Sequence, residues 1–156
     1  MSAMTSDAAH IRFLTAPGAH LVLRLEPDAN GQPEMLLRGN RAGILSLANV
    51  LLWLHAMVWR REVLSLGELP FVEPQGKVAL HIRVGANGAS GGHGVVQKLD
   101  HGDEFEWTIQ EDDLQAVGLL VHRLAANPDH EYTRLDVESG GAVGIHVRMA
   151  DVREWL

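Results

Sequence analysis

The sequence contains no cysteine, and this absence removes several classes of chemistry at once. Without thiols the chain cannot form disulfides, hold a metal through thiolates or use a cysteine nucleophile. Aromatic residues are also scarce, at 5 %, whereas apolar residues reach 46 %. A chain of this composition is too apolar to be disordered. We therefore expect a packed globular protein with an aliphatic core.

Basic residues are in the minority, since 20 acidic residues face 13 lysines and arginines and leave a formal net charge of −7. This charge repels phosphate backbones, so we expect no binding to nucleic acid. It favours a basic partner instead.

The beginning of the chain lacks an apolar signal core, because Asp7, His10 and Arg12 interrupt it. We therefore predict a cytoplasmic protein. The length of 156 residues suits one domain. We predict a single domain over residues 1–156, of which residues 1–18 could be irregular, and no cofactor.

Alternating apolar and polar residues predict strands, because successive side chains of a strand point to opposite faces. These segments are 19–26, 34–38, 78–84, 95–99, 104–109, 132–138 and 143–149. Residues 42–59 and 111–126 have helical spacing. Runs of strands, rather than strict alternation of strands and helices, favour an α+β fold. We predict a largely antiparallel sheet with the two main helices packed on one face.

The first predicted helix is apolar on nearly every side, so it must be buried on several sides or cross a membrane. Its length is near the lower limit for a span, roughly 18 residues. However, Ser46, Asn49 and His55 interrupt it, so we expect a buried helix and no membrane span. A structural homodimer, in which this helix or an edge strand completes a partner's core, is an alternative.

Two predicted strands contain nearly the same residues, His81-Ile82-Arg83-Val84 and His146-Val147-Arg148-Met149. The period of two places the histidine and arginine of each strand on one face and the aliphatic residues on the other. Asp136 and Glu138 alternate in the same way with apolar neighbours. The histidine, arginine, aspartate and glutamate side chains of these segments could therefore lie on one surface.

The register of the predicted final hairpin decides which of these groups meet. A three-residue loop over 140–142 sets Asp136 opposite His146, with Glu138 diagonal to it, whereas a two-residue loop sets Asp136 opposite Ile145. We favour the first, because it keeps the aliphatic residues on one face. The resulting polar stripe comprises Asp136, Glu138, His146 and Arg148, and His81 and Arg83 could join it.

Such a polar stripe could perform acid–base chemistry or hold an anion. It is also the pattern of an exposed ladder of charge pairs, which is the interpretation that we favour because such ladders are common on solvated sheet faces. A small-molecule-binding protein or enzyme that uses this stripe remains an alternative.

Other catalytic and metal-binding signatures are weak. The glycine-rich segment 85–94 lacks the Lys and Ser/Thr of a phosphate loop and leads into a strand. The best metal candidates, His93, His101 and Asp103, do not have the spacing of a known site. Ser90 and Ser139 lie near glycines but not in a nucleophile elbow. We predict no metal site and favour a protein without enzymatic activity.

The strongest signal is electrostatic and lies between residues 100 and 113. This acidic run has no Lys or Arg and comprises Asp100, Asp103, Glu104, Glu106, Glu111, Asp112 and Asp113. Its seven carboxylates equal the entire net charge, so the rest of the chain is balanced. Acidic residues at the start of a helix complement its dipole, which accounts for the last three. The run could steer a basic protein partner, or it could be a solvated turn that aids solubility.

The segment 39–51, which reads GNRAGILSLANVL, is similar to a pattern in small bacterial immunity proteins that neutralise polymorphic or contact-delivered toxins. In that pattern a short strand runs through G-N/D-x-x-G into a helix rich in leucine and alanine. The resemblance covers the strand–helix unit, residues 36–54, and transfers no binding residues, because these families bind through variable surfaces. It implies an acidic, non-enzymatic binder of a cationic toxin domain. Our leading hypothesis is therefore a protein-binding module with an acidic edge.

Overall fold

The computed structural model describes residues 14–27, 30–31, 33–56, 63–85, 94–100, 102–127, 132–135, 138–139 and 144–149. The elements in these ranges are β1 (Leu21–Pro27), β2 (Pro33–Gly39), α1 (Arg41–Ala56), β3 (Val63–Ser65), a 3₁₀ turn (Leu66–Glu68), β4 (Val72–Pro74), β5 (Ala79–Gly85), β6 (Val95–Lys98), β7 (Glu104–Gln110), α2 (Glu111–Ala126), β8 (Tyr132–Leu135), β9 (Glu138–Ser139) and β10 (Gly144–Met149). The predicted α+β class is confirmed. The strands β3 and β4 have three residues each, which is too few to show a periodic pattern.

The strands form two sheets. Sheet 1 has the order β4-β1-β2-β10-β8, and sheet 2 has the order β3-β5-β7-β6-β9. The sheets are not purely antiparallel: among the described pairings, β1–β4, β2–β10, β5–β7 and β6–β9 are parallel. The sequence pattern did not reveal this division, because a strand alternates in the same way in either sheet.

Each sheet draws strands from both halves of the chain. The first half runs strand–strand–helix–strand–strand–strand from β1 to β5, and the second half repeats this order from β6 to β10. Replacing each strand by its counterpart (β1 by β6, β2 by β7, β3 by β8, β4 by β9, β5 by β10) converts the order of sheet 1 into that of sheet 2. Parallel pairings map onto parallel ones and antiparallel onto antiparallel. The chain is therefore two interleaved copies of one topological unit.

The register of the pairings follows the same correspondence. Ile82 of β5 lies opposite Trp107, and Val147 of β10 lies opposite Leu37. Trp107 and Leu37 are each the fourth residue before the following helix. His81 thus corresponds to His146, and Arg83 corresponds to Arg148.

The two helices pack against each other more extensively than any other two elements of the described chain. A small residue at the contact allows this approach, since a Cβ atom at Gly118 would lie 2.8 Å from Leu52 Cδ2. Ala48 of α1, the counterpart of Gly118, is fully buried. No helix in the described ranges is long and apolar enough to cross a membrane.

The start of α1 is fixed by the residues that carry the immunity-protein resemblance. Asn40 caps the helix, as its Oδ1 accepts a hydrogen bond from the Gly43 amide at 2.7 Å. Asn40 also accepts from the His20 amide at 3.1 Å and donates to the Gly18 carbonyl at 2.9 Å. A Cβ atom at Gly43 would collide with the His20 carbonyl oxygen. The G-N-x-x-G pattern therefore lets the segment before β1 cross the beginning of α1.

The second helix begins at Glu111 as predicted, but its cap differs from the expected one. Thr108, which has capping-box spacing to Glu111, belongs to β7, and the N-cap is Gln110 without a side-chain capping bond. Thr108 cannot cap the helix because it is paired within β7, and the helix begins three residues later.

Buried side chains from both sheets and both helices form one contiguous cluster. Leu37 of β2 and Trp107 of β7 are both fully buried in it. The alternating residues of β7, Glu104, Glu106 and Thr108, form a polar face on sheet 2. Those of β2 carry charges at Glu34 and Arg38, but Glu34 and the intervening Leu36 are buried. These two faces carry the candidate site residues.

Candidate functional site

The acidic run does not form one cluster, because β7 lies in its middle. Asp100 and Asp103 flank the turn between β6 and β7, and Glu104 begins β7. The acidic residues of α2 lie at the other end of this seven-residue strand, about 20 Å away at the usual rise per residue. The run therefore consists of a turn group (Asp100, Asp103 and Glu104), a helix group (Glu111, Asp112 and Asp113) and Glu106 between them.

The turn group is open to solvent at two of its three residues. Asp100 and Asp103 are exposed, and Glu104 is half-buried. The Asp103 carbonyl accepts a hydrogen bond from the Ala79 amide at 3.0 Å, which anchors the turn to β5. The carboxylates therefore project from an anchored backbone.

Glu106 occupies the polar face of sheet 2, because Phe105 and Trp107 on either side of it are buried. Its Oε1 lies 3.1 Å from Arg83 Nε, and the side chains are 21 % and 50 % exposed, respectively. Arg83 projects from β5, which pairs with β7. This ion pair neutralises the middle of the acidic run.

The two His/Arg strands do not share a surface, which corrects the expectation that His81 and Arg83 could join His146 and Arg148. β5 is in sheet 2 and β10 is in sheet 1. The near-identical residues occupy corresponding positions in the two halves. The repeated tetrad signalled an internal repeat rather than one stripe.

The predicted pairing of Asp136 with His146 is also wrong. Arg134 lies opposite His146, and Leu135 lies opposite Ile145. Glu138 is in β9, which pairs with β6 in sheet 2, so it is not diagonal to His146. Asp136 itself lies outside the described residues. Strand β9, which lies between β8 and β10 in the chain, belongs to the other sheet, as β4 does between β3 and β5.

The described side chains on this face of sheet 1 instead include the arginines Arg24, Arg38 and Arg148. Arg148 lies beside Arg38 on the parallel pair β10–β2. Arg24 of β1 lies opposite Leu36, which makes it diagonal to Arg38. We call these three residues the arginine face. The sequence-based prediction did not include Arg24 and Arg38, although each follows a leucine, Leu23 or Leu37, that is buried.

Charged groups of both signs act on Arg38. Burial lowers the pKa of Arg38, the positive charges of Arg148 and Arg24 lower it further, and the negative charge of Glu26 raises it. Glu26 is already paired with Arg24 at 3.0 Å. On the same face His20 Nε2 lies 2.9 Å from Glu73, and Glu34 is buried.

Metal and nucleophile candidates gain no geometric support. Among the described residues no group of three or more His, Asp or Glu side chains has a metal-binding arrangement. His93, His101 and Ser90 lie outside the described residues. For Ser139 the structure gives only a place in β9.

Comparison of this chain with protein-family models, with curated proteins and with solved structures finds no match.

Proposed function

We propose that this protein is a non-enzymatic protein-binding module that recognises a basic partner through the turn group. In its specific form the proposal is a bacterial immunity protein of the cytoplasm, which neutralises a basic toxin domain. The observation that carries it is the exposed carboxylates of the β6–β7 turn in a chain whose net charge of −7 comes entirely from the acidic run.

The division of the acidic run sharpens the proposal. Glu106 is engaged by Arg83, and the helix group complements the dipole of α2. The turn group has neither of these roles. Its carboxylates are therefore the ones best placed to attract a basic surface, and such charges mainly accelerate association at low salt.

The residues that resemble immunity proteins serve the architecture rather than recognition. Asn40 and Gly43 organise the start of α1. The residues of the resemblance therefore have a structural role, and we assign binding to other residues. Binding through an acidic turn outside the strand–helix unit is compatible with a structural role for that unit.

The test is retention of a basic protein from the native host's lysate, followed by binding measurements on the purified partner. The Asp103→Lys/Glu104→Lys variant should associate at least about tenfold more slowly at low salt, because electrostatic steering contributes that much or more. Added salt should slow association of the wild-type protein and shrink the difference.

The matched control is Glu111→Lys/Asp112→Lys, which makes the same change in net charge at the other end of β7. This variant should retain the partner. Equal losses in both variants would show that only total charge matters, and unchanged association in the turn variant would refute recognition through the turn group.

A further inference from the structure

The outer faces of the two sheets, which point away from the shared core, differ in exposure at matched positions. On sheet 1 the outer residues Val22, Glu34 and Leu36 are buried. Their counterparts on sheet 2 follow from the matched registers and are Val95, Glu104 and Glu106, all of which are half-buried. At two of these three positions both halves have the same residue type, so the residues themselves do not cause the difference. The outer face of sheet 2 is therefore the more accessible of the two.

Three rows of side chains cross the outer face of sheet 2. Val63 and Arg83 belong to the first row, Gln97 and Glu106 to the second, and Glu104 to the third. Val63, Arg83 and Gln97 are exposed. The face thus combines aliphatic, charged and amide groups on paired strands, and this mixture suits contact with another protein.

The two carboxylates of this face differ in their pairing. Glu106 is engaged by Arg83, whereas the Glu104 side chain makes no hydrogen bond or ion pair within the described part of the chain. Lys77 and Lys98 are exposed near the same edge of the sheet and reduce the local excess of negative charge. Attraction of a ligand to Glu104 therefore depends on close contact more than on the net charge around it.

Apolar neighbours flank Glu104 on both sides. Ala79 of β5 is its register partner, and on the β6 side the Leu99 amide donates a hydrogen bond to the Glu104 carbonyl at 2.8 Å. Both neighbours are half-buried. Arginine and lysine lay their aliphatic stems along such apolar surface while the charged end reaches a carboxylate. Glu104 and its neighbours are thus suited to bind one basic side chain.

We propose that the basic protein partner binds on the outer face of sheet 2 and places an arginine or lysine against Glu104. This inference rests on the proposed function and divides the turn group into two roles. Asp100 and Asp103 steer the partner, and Glu104 holds it. Sheet 1 offers no equivalent contact, because Glu34, the counterpart of Glu104, is buried.

Binding kinetics separate these roles, since steering charges change the association rate whereas closely contacting charges change the dissociation rate. The probe is the basic protein purified in the retention experiment, and its binding to the full chain is followed at two ionic strengths. Glu104→Gln should raise the dissociation rate about tenfold or more, the usual effect of losing a hydrogen bond between charged groups. Asp103→Asn makes the same change in charge at the adjacent residue; it should slow association and alter dissociation less than about twofold.

The absence of cysteine from the chain allows an independent measurement of where the partner lies. Gln97→Cys and Arg148→Cys each introduce a single thiol, at exposed positions of sheet 2 and sheet 1, respectively. Saturating partner should slow alkylation of Gln97→Cys by N-ethylmaleimide about tenfold or more, because thiol reactivity requires access. Alkylation of Arg148→Cys should change less than about twofold.

Faster dissociation of Glu104→Gln together with protection of Gln97→Cys supports the proposal. Unchanged dissociation of Glu104→Gln, or a Gln97→Cys thiol that stays as reactive as in the free protein, overturns it. If Asp103→Asn still slows association in that case, the proposed steering by the turn group stands alone. Unchanged association of Asp103→Asn with a protected Gln97→Cys thiol would instead refute the steering and keep the contact on sheet 2. Failure to retain any basic protein overturns both.

Discussion

Arg83 in sheet 2 lies 3.1 Å from Glu106, whereas its counterpart Arg148 in sheet 1 lies beside Arg38. The strands that carry these two arginines have nearly the same residues and the same register in their sheets. Their environments differ because the neighbouring strands carry different residues at matched positions, Leu36 in β2 and Glu106 in β7. The electrostatic environment of a repeated motif therefore depends on the strands beside it as much as on the motif itself.

The cores behind the two faces give the largest expected effects. Trp107 and Leu37 are corresponding residues, and both are fully buried. Trp107→Ala should lower the free energy of unfolding by about 3–5 kcal/mol and Leu37→Ala by about 2–5 kcal/mol, because each leaves a cavity. Urea unfolding measures both losses. Since the two sheets share one cluster, each variant should unfold in a single transition, and a separate transition for one sheet would contradict the shared core.

The starts of the two helices provide the next contrast. Asn40→Ala removes a side-chain cap and two further hydrogen bonds to the segment before β1, so it should cost about 1–2 kcal/mol. Gln110 makes no capping bond with its side chain, so Gln110→Ala should cost less than Asn40→Ala. Chemical denaturation of both variants measures the difference. Equal losses in the free energy of unfolding would mean that the side-chain cap of α1 does not stabilise the protein.

The smallest effect concerns the ion pair that neutralises sheet 2. Glu106→Gln should cost at most about 1 kcal/mol, because half of the Arg83 side chain is exposed and solvent screens the pair. The loss should shrink as salt rises. Glu104→Gln removes the same charge from the same strand and face, and it serves as the control in thermal unfolding at two ionic strengths. A salt-independent loss at Glu106 would contradict an electrostatic origin.

Much of the local structure could be predicted from the sequence. The cap at Asn40, the bounds of α2 and the alternation of β7 all follow from residues within a few positions of each other. The positions of Glu138 and His146 could not be predicted in this way. An alternating segment fits either sheet, and nothing local shows that β9 leaves the sheet that contains β8 and β10.

The sequence by itself determined the α+β class, the aliphatic core, the absence of thiol chemistry and the acidic character of residues 100–113, because these depend on composition and local periodicity. It also contained the repeated His-x-Arg strands. Only the tertiary structure decided that these strands lie in different sheets, that β7 divides the acidic run and that Arg24, Arg38 and Arg148 converge. Such juxtapositions depend on pairings between residues far apart in the chain. Those pairings are settled by the burial of one shared core, and no local pattern specifies them.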